Sequence, residues 1–265
     1  MYRQHFGLTC LPFENQIPPD QMFVSSAMAE LQIRLNHLID LRGIGLVTGE
    51  PGAGKSAACR KMVSSLHTGI YKIAYVPLAT ANPIDLYKSI AWELGLPTER
   101  NRATLYKRIR DEVSRLCIDA KIRTVLIIDE AQYLRNDVLE ELRLLTNYAM
   151  DSENRLCLLL IGQTELRRRL SMAVHEALNQ RIVVRFHLPG LARDQLPDYL
   201  NHLTKRAGCL LPLFEPAAVE AIFQAAKGLP RKIGLLAHHT LLAAALDKAK
   251  IASADHVQQA LPEVS

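Results

Sequence analysis

From Leu46 to Cys59 the chain reads LVTGEPGAGKSAAC, an order of residue types that suits one task. Glycines at 49, 52 and 54 open backbone shapes that other residues avoid, and Lys55 and Ser56 follow at once. The spacing G-x-x-x-x-G-K-[ST] is that of a phosphate-binding loop. The segment Gly49, Glu50, Pro51, Gly52, Ala53, Gly54, Lys55, Ser56 and Ala57 would cradle phosphates with its main-chain N–H groups. Lys55 would reach the terminal phosphates and Ser56 would ligate Mg²⁺. The helix that follows would aim its positive end at the same anion. An ordinary Gly-rich turn is the plainer alternative. Against it, IGLVTG before the loop reads as a buried strand and KSAACRKMVSSL after it as a helix.

Hydrolysis needs more than a cradle, and TVLIIDE (124–130) supplies candidates. Asp129 falls at the C-terminal end of an apolar strand, where open α/β sheets bind ligands. Its carboxylate would hold Mg²⁺ through water, and Glu130 would polarise the attacking water. The nucleotide is therefore expected to be ATP, hydrolysed with Mg²⁺. Further positions carry weaker signals. Gln163, ahead of Thr164, ends another buried run and would help position the water. Arg181 precedes the last apolar run, where an arginine would reach a neighbouring subunit's γ-phosphate. Arg231, with Lys232 as its rival, lies in the first turn of a late helix and would reach back over the phosphates.

These residues need strands and helices to hold them. Five short runs rich in Val, Ile and Leu stand out: 43–49, 71–78, 124–130, 157–163 and 181–188. They show little polar alternation, as expected of parallel strands covered on both faces. Helical patterns fill 26–42, 55–66, 83–95, 103–120, 135–150 and 164–179. Such alternation predicts an α/β fold with a parallel five-stranded sheet flanked by helices. After Pro189-Gly190 only helical patterns remain, at 193–206, 215–226, 230–247 and 253–260. The expected organisation is a nucleotide-binding α/β domain over 1–190, including an N-terminal extension, and a small all-helical domain over 191–265.

With 265 residues, 49% of them hydrophobic, the chain is long enough for a sizeable core. No apolar run approaches membrane-spanning length, and the N-terminus has no signal-peptide pattern. Five scattered cysteines without a C-x-x-C pair fit buried thiols in a reducing cytoplasm better than disulfides or zinc. HEALNQ lacks the second histidine of a zinc motif. The net charge of +5 permits a polyanionic partner without requiring one.

In their order, GEPGAGKS, VLIIDE, IGQTE, LNQRI and GLPRKI resemble the Walker A, Walker B, sensor 1, arginine-finger and sensor 2 segments of AAA+ ATPases. The likeness implies a P-loop sheet followed by a helical lid. Sensor 1 departs from the family's usual Asn, Ser or Thr. The N-terminal FGLTCLPF and PPDQMF are similar to the ExeA/GspA-type group. One branch of that group is associated with secretion. The other serves DDE transposases, in the manner of the TnsC, TniB, IstB and MuB helpers. Secretion members typically continue into a transmembrane helix and a further domain, so a chain stopping at 265 is expected to belong to the transposition branch.

That resemblance implies ATP-bound homo-oligomers, rings or filaments, on double-stranded DNA, with a transposase as partner. The candidate DNA surface is 96–116, with Thr98, Arg100, Arg102, Thr104, Lys107, Arg108 and Arg110. Phosphate contacts of this kind give affinity without sequence preference. A solvated helix face with internal ion pairs is the alternative, since Glu99, Asp111 and Glu112 are interleaved. Arg167, Arg168 and Arg169 fit a subunit interface at least as well as DNA. A secretion-type ATPase and a signalling NTPase without DNA remain rival readings.

Overall fold

The computed structural model describes residues 2–14, 16–77 and 82–264. In chain order the elements are α1 (Tyr2–His5), α2 (Ser26–Leu41), β1 (Ile44–Thr48), α3 (Lys55–Ser65), β2 (Tyr71–Val76), α4 (Pro83–Leu94), α5 (Arg102–Ile118), β3 (Arg123–Ile128), α6 (Asn136–Leu145), β4 (Leu156–Gly162), α7 (Thr164–Leu170), α8 (Glu176–Arg181), β5 (Ile182–His187), α9 (Leu196–Arg206), α10 (Pro216–Ala226), α11 (Pro230–Leu246) and α12 (Ala254–Ala260). All five apolar runs contribute strands. They form one parallel sheet in the order β2-β3-β4-β1-β5. Leu78, the end of the second run, lies outside the described residues.

The chain makes two compact units. One holds the sheet, with Glu30–Gly49 and Lys55–Leu188; the other holds the residues up to Ala29, Glu50–Gly54 and the residues from Pro189 on. In the sheet unit β1 and β4 are buried at every position and β3 at all but its first. The expectation of strands covered on both faces is corrected at the two edges. In β5, Ile182 and Val184 are buried while Val183 and Arg185 are exposed, the alternation of a strand with one covered face. Helix α5 starts at the cap Asn101, whose side chain accepts from the Thr104 N–H at 3.1 Å. Its buried stripe, Leu105, Ile109, Val113 and Leu116, has helical spacing, so its basic residues fall on the remaining faces.

Two of the expected helices are shorter. The 135–150 pattern ends as α6 at Leu145, and Ala149, Met150 and Asp151 all take positive φ. The 164–179 pattern breaks into α7 and α8. Met172 is extended there, and the Ser171 hydroxyl donates to the Arg168 carbonyl at 2.7 Å, a local bond that competes with helix continuation.

The helical unit has its own core, in which Leu196, Leu200, Ile222, Ile233, Leu236 and Val257 meet Tyr2 and Leu8. The N-terminal extension, expected with the α/β domain, is therefore part of the helical unit. The Thr9 N–H and hydroxyl both donate to the Ala207 carbonyl, at 2.8 and 3.0 Å. Arg206 pairs with Glu14 at 3.1 Å, and Phe23 meets Tyr199 edge-on. The apolar residues of YRQHFGLTCLPF explain the docking, because they bury surface that a free tail would leave in water.

Candidate nucleotide site

Parallel pairing sets the strand ends of the sheet unit in line. Thr48 of β1 stands opposite Gly162 of β4, and Ile128 of β3 opposite Leu160. Gly49, Asp129 and Gln163, each following its strand, therefore emerge along one edge of the sheet. Lys55 opens α3 and is 8% exposed, and its Nζ donates to the Gly49 carbonyl at 2.9 Å. A nearly buried ammonium at a helix N-terminus suits an anion. The Ser56 hydroxyl donates to Asp129 Oδ2 at 2.9 Å. Asp129 is 4% exposed, and its Oδ1 accepts the Glu130 N–H at 2.8 Å. Mg²⁺ prefers hard oxygen ligands and keeps several waters. A hydroxyl and a carboxylate in contact fit that ion.

Tyr75 and Gln132 are functional candidates that the sequence reading missed. The Tyr75 hydroxyl donates to Asp129 Oδ2 at 3.0 Å. Burial, then the Asp129 charge, push its pKa well above the ordinary tyrosine value, so it remains a donor. Only the pairing of β2 with β3 could have revealed Tyr75. Gln132, two residues after Glu130, donates from Nε2 to Glu130 Oε2 at 2.6 Å. Its place in the DEAQ stretch, two residues after the acid, is the signal that points to it. Glu130 has φ 53° and ψ 35°, a left-handed conformation uncommon outside glycine. Gln163 precedes α7 as its N-cap residue, and its N–H donates to Gln132 Oε1 at 3.1 Å. Cys59 lies near this cluster, and burial followed by the Asp129 charge raises its pKa to about 12. It remains a thiol, inert as a nucleophile.

In the helical unit, Gly52 has φ 82° and Gly54 φ 101°, conformations that the loop's glycines permit. The Arg231 N–H donates to the Gly52 carbonyl at 3.2 Å, and a Cβ on Gly52 would stand 2.8 Å from Arg231 Cβ. Arg231 and its rival Lys232 are both exposed, in the first turn of α11 after Pro230. The loop packs directly on Arg231.

Arg181, expected to reach a neighbouring subunit, is the last residue of α8. It pairs with Asp151 and donates to Thr146 Oγ1 at 3.2 Å and to the Arg143 carbonyl at 3.3 Å. Its side chain is 19% exposed, and burial followed by the Arg143 charge lowers its pKa from the ordinary value.

The basic 96–116 segment divides. Arg102 pairs with the largely buried Glu141, which also accepts from the Tyr87 hydroxyl. Arg108 pairs with Glu99 at 2.9 Å. Arg110 stacks over Tyr148 at 4.4 Å and donates to the Leu144 carbonyl at 3.2 Å. Thr98, Arg100 and Lys107 are exposed, and Thr104 is half-buried at the start of α5. The ion-paired alternative thus describes much of this face. In the second basic cluster, Arg169 is tied to the Gln132 and Leu134 carbonyls, while Arg167 and Arg168 are exposed. His175 is buried, with its Nε2 3.0 Å from Asn136 Oδ1.

The sheet, the phosphate loop and the Ser56–Asp129 pair define a P-loop nucleotide-binding protein with an accompanying helical unit. A family model described as "AAA domain" matches residues 39–170, and this part of the chain belongs to that family of Mg²⁺- and ATP-dependent ATPases. It is 36% identical over 247 residues to "General secretion pathway protein A" of Aeromonas hydrophila, covering 92% of this chain and 45% of that protein. It is 32% identical over 103 residues to "ATP-dependent target DNA activator B" of Escherichia phage Mu, covering 38% of this chain and 30% of that protein. The chain thus spans less than half the length of these relatives. Among solved structures, Cdc6p from Pyrobaculum aerophilum has a TM-score of 0.70 at 18% identity, covering 96% of this chain and 70% of that one. That likeness shows the fold. Among the described residues, no helix is long and apolar enough to cross a membrane.

Proposed function

We propose that the chain is a cytoplasmic ATPase that assembles on duplex DNA in its ATP-bound form and directs or activates a partner DDE transposase. The contact of Ser56 with Asp129 beside the nearly buried Lys55 carries the ATP part of this reading. The likeness to target DNA activator B supports the DNA part, with Thr98, Arg100 and Lys107 as the first residues to examine.

Lys55 and the loop main chain hold the phosphates, and Ser56 and Asp129 are the residues that would hold Mg²⁺. The ion, when bound, screens phosphate charge during phosphoryl transfer. Glu130 orients and polarises the attacking water, and Gln163 helps to position it. Arg231, seated on Gly52, adds positive charge at the loop. Arg181 acts from a neighbouring subunit on the γ-phosphate, so the presence of that phosphate decides whether the interface is complete. ATP thus differs from ADP in what it offers the assembled state, the requirement for a switch.

A second reading, an ATPase acting on an envelope assembly, is favoured by the 36% identity to General secretion pathway protein A over most of the chain. Binding to random-sequence duplex DNA separates the two. It should be measured with a non-hydrolysable ATP analogue, with ADP and without nucleotide, across a salt series. Analogue-dependent, salt-sensitive binding is the expected result. Intact hydrolysis with no DNA binding in any nucleotide state would sink the DNA reading and favour the envelope one.

A further inference from the structure

Within the sheet unit, one buried polar side chain lies between two strand ends. Gln132 is 6% exposed and sits in the 3₁₀ turn Ala131–Tyr133 that follows β3. Both ends of its amide are engaged: Nε2 with Glu130 Oε2 at 2.6 Å, and Oε1 with the Gln163 N–H at 3.1 Å. Chemistry fixes this orientation. The Gln163 N–H can only donate, so the amide oxygen must face it, and the amino group must then face the carboxylate.

The surroundings hold the bridge in place. Arg169 donates to the Gln132 carbonyl at 2.5 Å and to the Leu134 carbonyl at 2.6 Å, pinning the turn from α7. Gly162 leaves the room. A Cβ there would stand 2.9 Å from Gln132 Oε1 and 2.7 Å from Leu166 Cδ2, closer than real Cβ atoms come. A buried amide with both ends satisfied is a specific arrangement, because losing either partner would strand a polar group away from water.

We infer that Gln132 is a positioning residue for hydrolysis. It fixes the Glu130 carboxylate relative to the end of β4, so that the water-polarising acid and Gln163 keep one geometry. This rests on the reading of Glu130 as that acid. A glutamate freed of its bond explores several rotamers, and a misplacement of about 1 Å at a reacting centre can cost roughly 10²-fold in rate.

The test uses the full chain with Gln132→Glu, Gln132→Met, Glu130→Gln and the double variant Glu130→Gln/Gln132→Met. Hydrolysis is measured at saturating MgATP, affinity with a fluorescent non-hydrolysable analogue, and folding by thermal unfolding. Gln132→Glu keeps an acceptor for the Gln163 N–H but cannot donate to an ionised Glu130. Its kcat is expected to fall about 10- to 100-fold, with analogue affinity unchanged. Gln132→Met, uncharged and close in volume, carries the test if the acid variant is unstable. The double variant should be no slower than Glu130→Gln alone, because Gln132 acts through that acid. Wild-type rates in both Gln132 variants, or losses that multiply in the double variant, would overturn the inference. If Glu130→Gln itself hydrolyses at the wild-type rate, the reading of Glu130 fails and this inference with it. A slow Glu130→Gln beside unaffected Gln132 variants sinks this inference alone.

Discussion

Removing Asp151 should make Arg181 easier to mobilise, and the size of the effect follows from its contacts. Asp151 is 57% exposed, so the pair contributes about 0.2–1 kcal/mol. The bonds to Thr146 Oγ1 and the Arg143 carbonyl are long, at 3.2 and 3.3 Å, and contribute about 0.5–1.5 kcal/mol each. Together they hold Arg181 against α6 by roughly 2 kcal/mol, a preference of about thirtyfold over a released side chain. If Arg181 must leave this seat to reach a neighbouring subunit, Asp151→Ala lowers the barrier by up to about 1 kcal/mol. Hydrolysis should then rise by about two- to fivefold. The gain should appear at protein concentrations below saturating assembly and vanish above them. Arg181→Ala should instead lose on the order of 10³-fold at every concentration, with nucleotide affinity kept. The assay is the steady-state ATPase rate against protein concentration, with the analogue Kd measured alongside. An Arg181→Ala variant that hydrolyses at the wild-type rate under saturating assembly would refute the transfer role. An Asp151→Ala variant that melts earlier but hydrolyses unchanged would show the pair to be a surface brace.

Lys55→Ala should abolish nucleotide binding, read by analogue titration, whereas Glu130→Gln should bind normally, hydrolyse about 10²- to 10⁴-fold more slowly and remain assembled, as size-exclusion chromatography in ATP would show. For DNA, Arg100→Ala and Lys107→Ala should each reduce the log–log salt slope of binding by about 0.9. Arg102→Ala should act on stability, because it removes a partner from the largely buried Glu141; a loss of about 1–3 kcal/mol is expected in denaturant unfolding. The pKa values of His175 and His238 are both held below the ordinary imidazole value, chiefly by burial, with the charges of Arg169 and His239 adding to it. The unfolded chain therefore binds more protons in this window, so their contribution is present above about pH 6.5 and is lost as pH falls through and below it. Thermal unfolding from pH 7.5 to 5 should show the loss, and His175→Asn should flatten it.

Local order carried much of the fold into the sequence. Five short apolar runs separated by helical periods can bury their surfaces only as a parallel sheet with crossover helices, and Gly52, Gly54, Lys55 and Ser56 carry a spacing whose meaning depends on adjacent residues. Asp129 was legible for the same reason, as an acid at the end of a buried strand. Contacts between distant segments were not legible. Tyr75 reaches Asp129 because β2 pairs with β3, and Gln132 joins Glu130 to Gln163 because β3 pairs with β4. The N-terminal extension joined the helical unit because its apolar residues found a core far along the chain. The basic segment and Arg181 show the same limit. Charge and position along the chain mark an arginine as available, but only the tertiary structure supplies Glu141, Asp151 and Thr146 to occupy it. Sequence alone determined the strands, the loop and the kind of chemistry they can support. Tertiary packing decided which polar groups meet, because hydrogen bonds and ion pairs depend on distances in space that residue spacing along the chain does not encode.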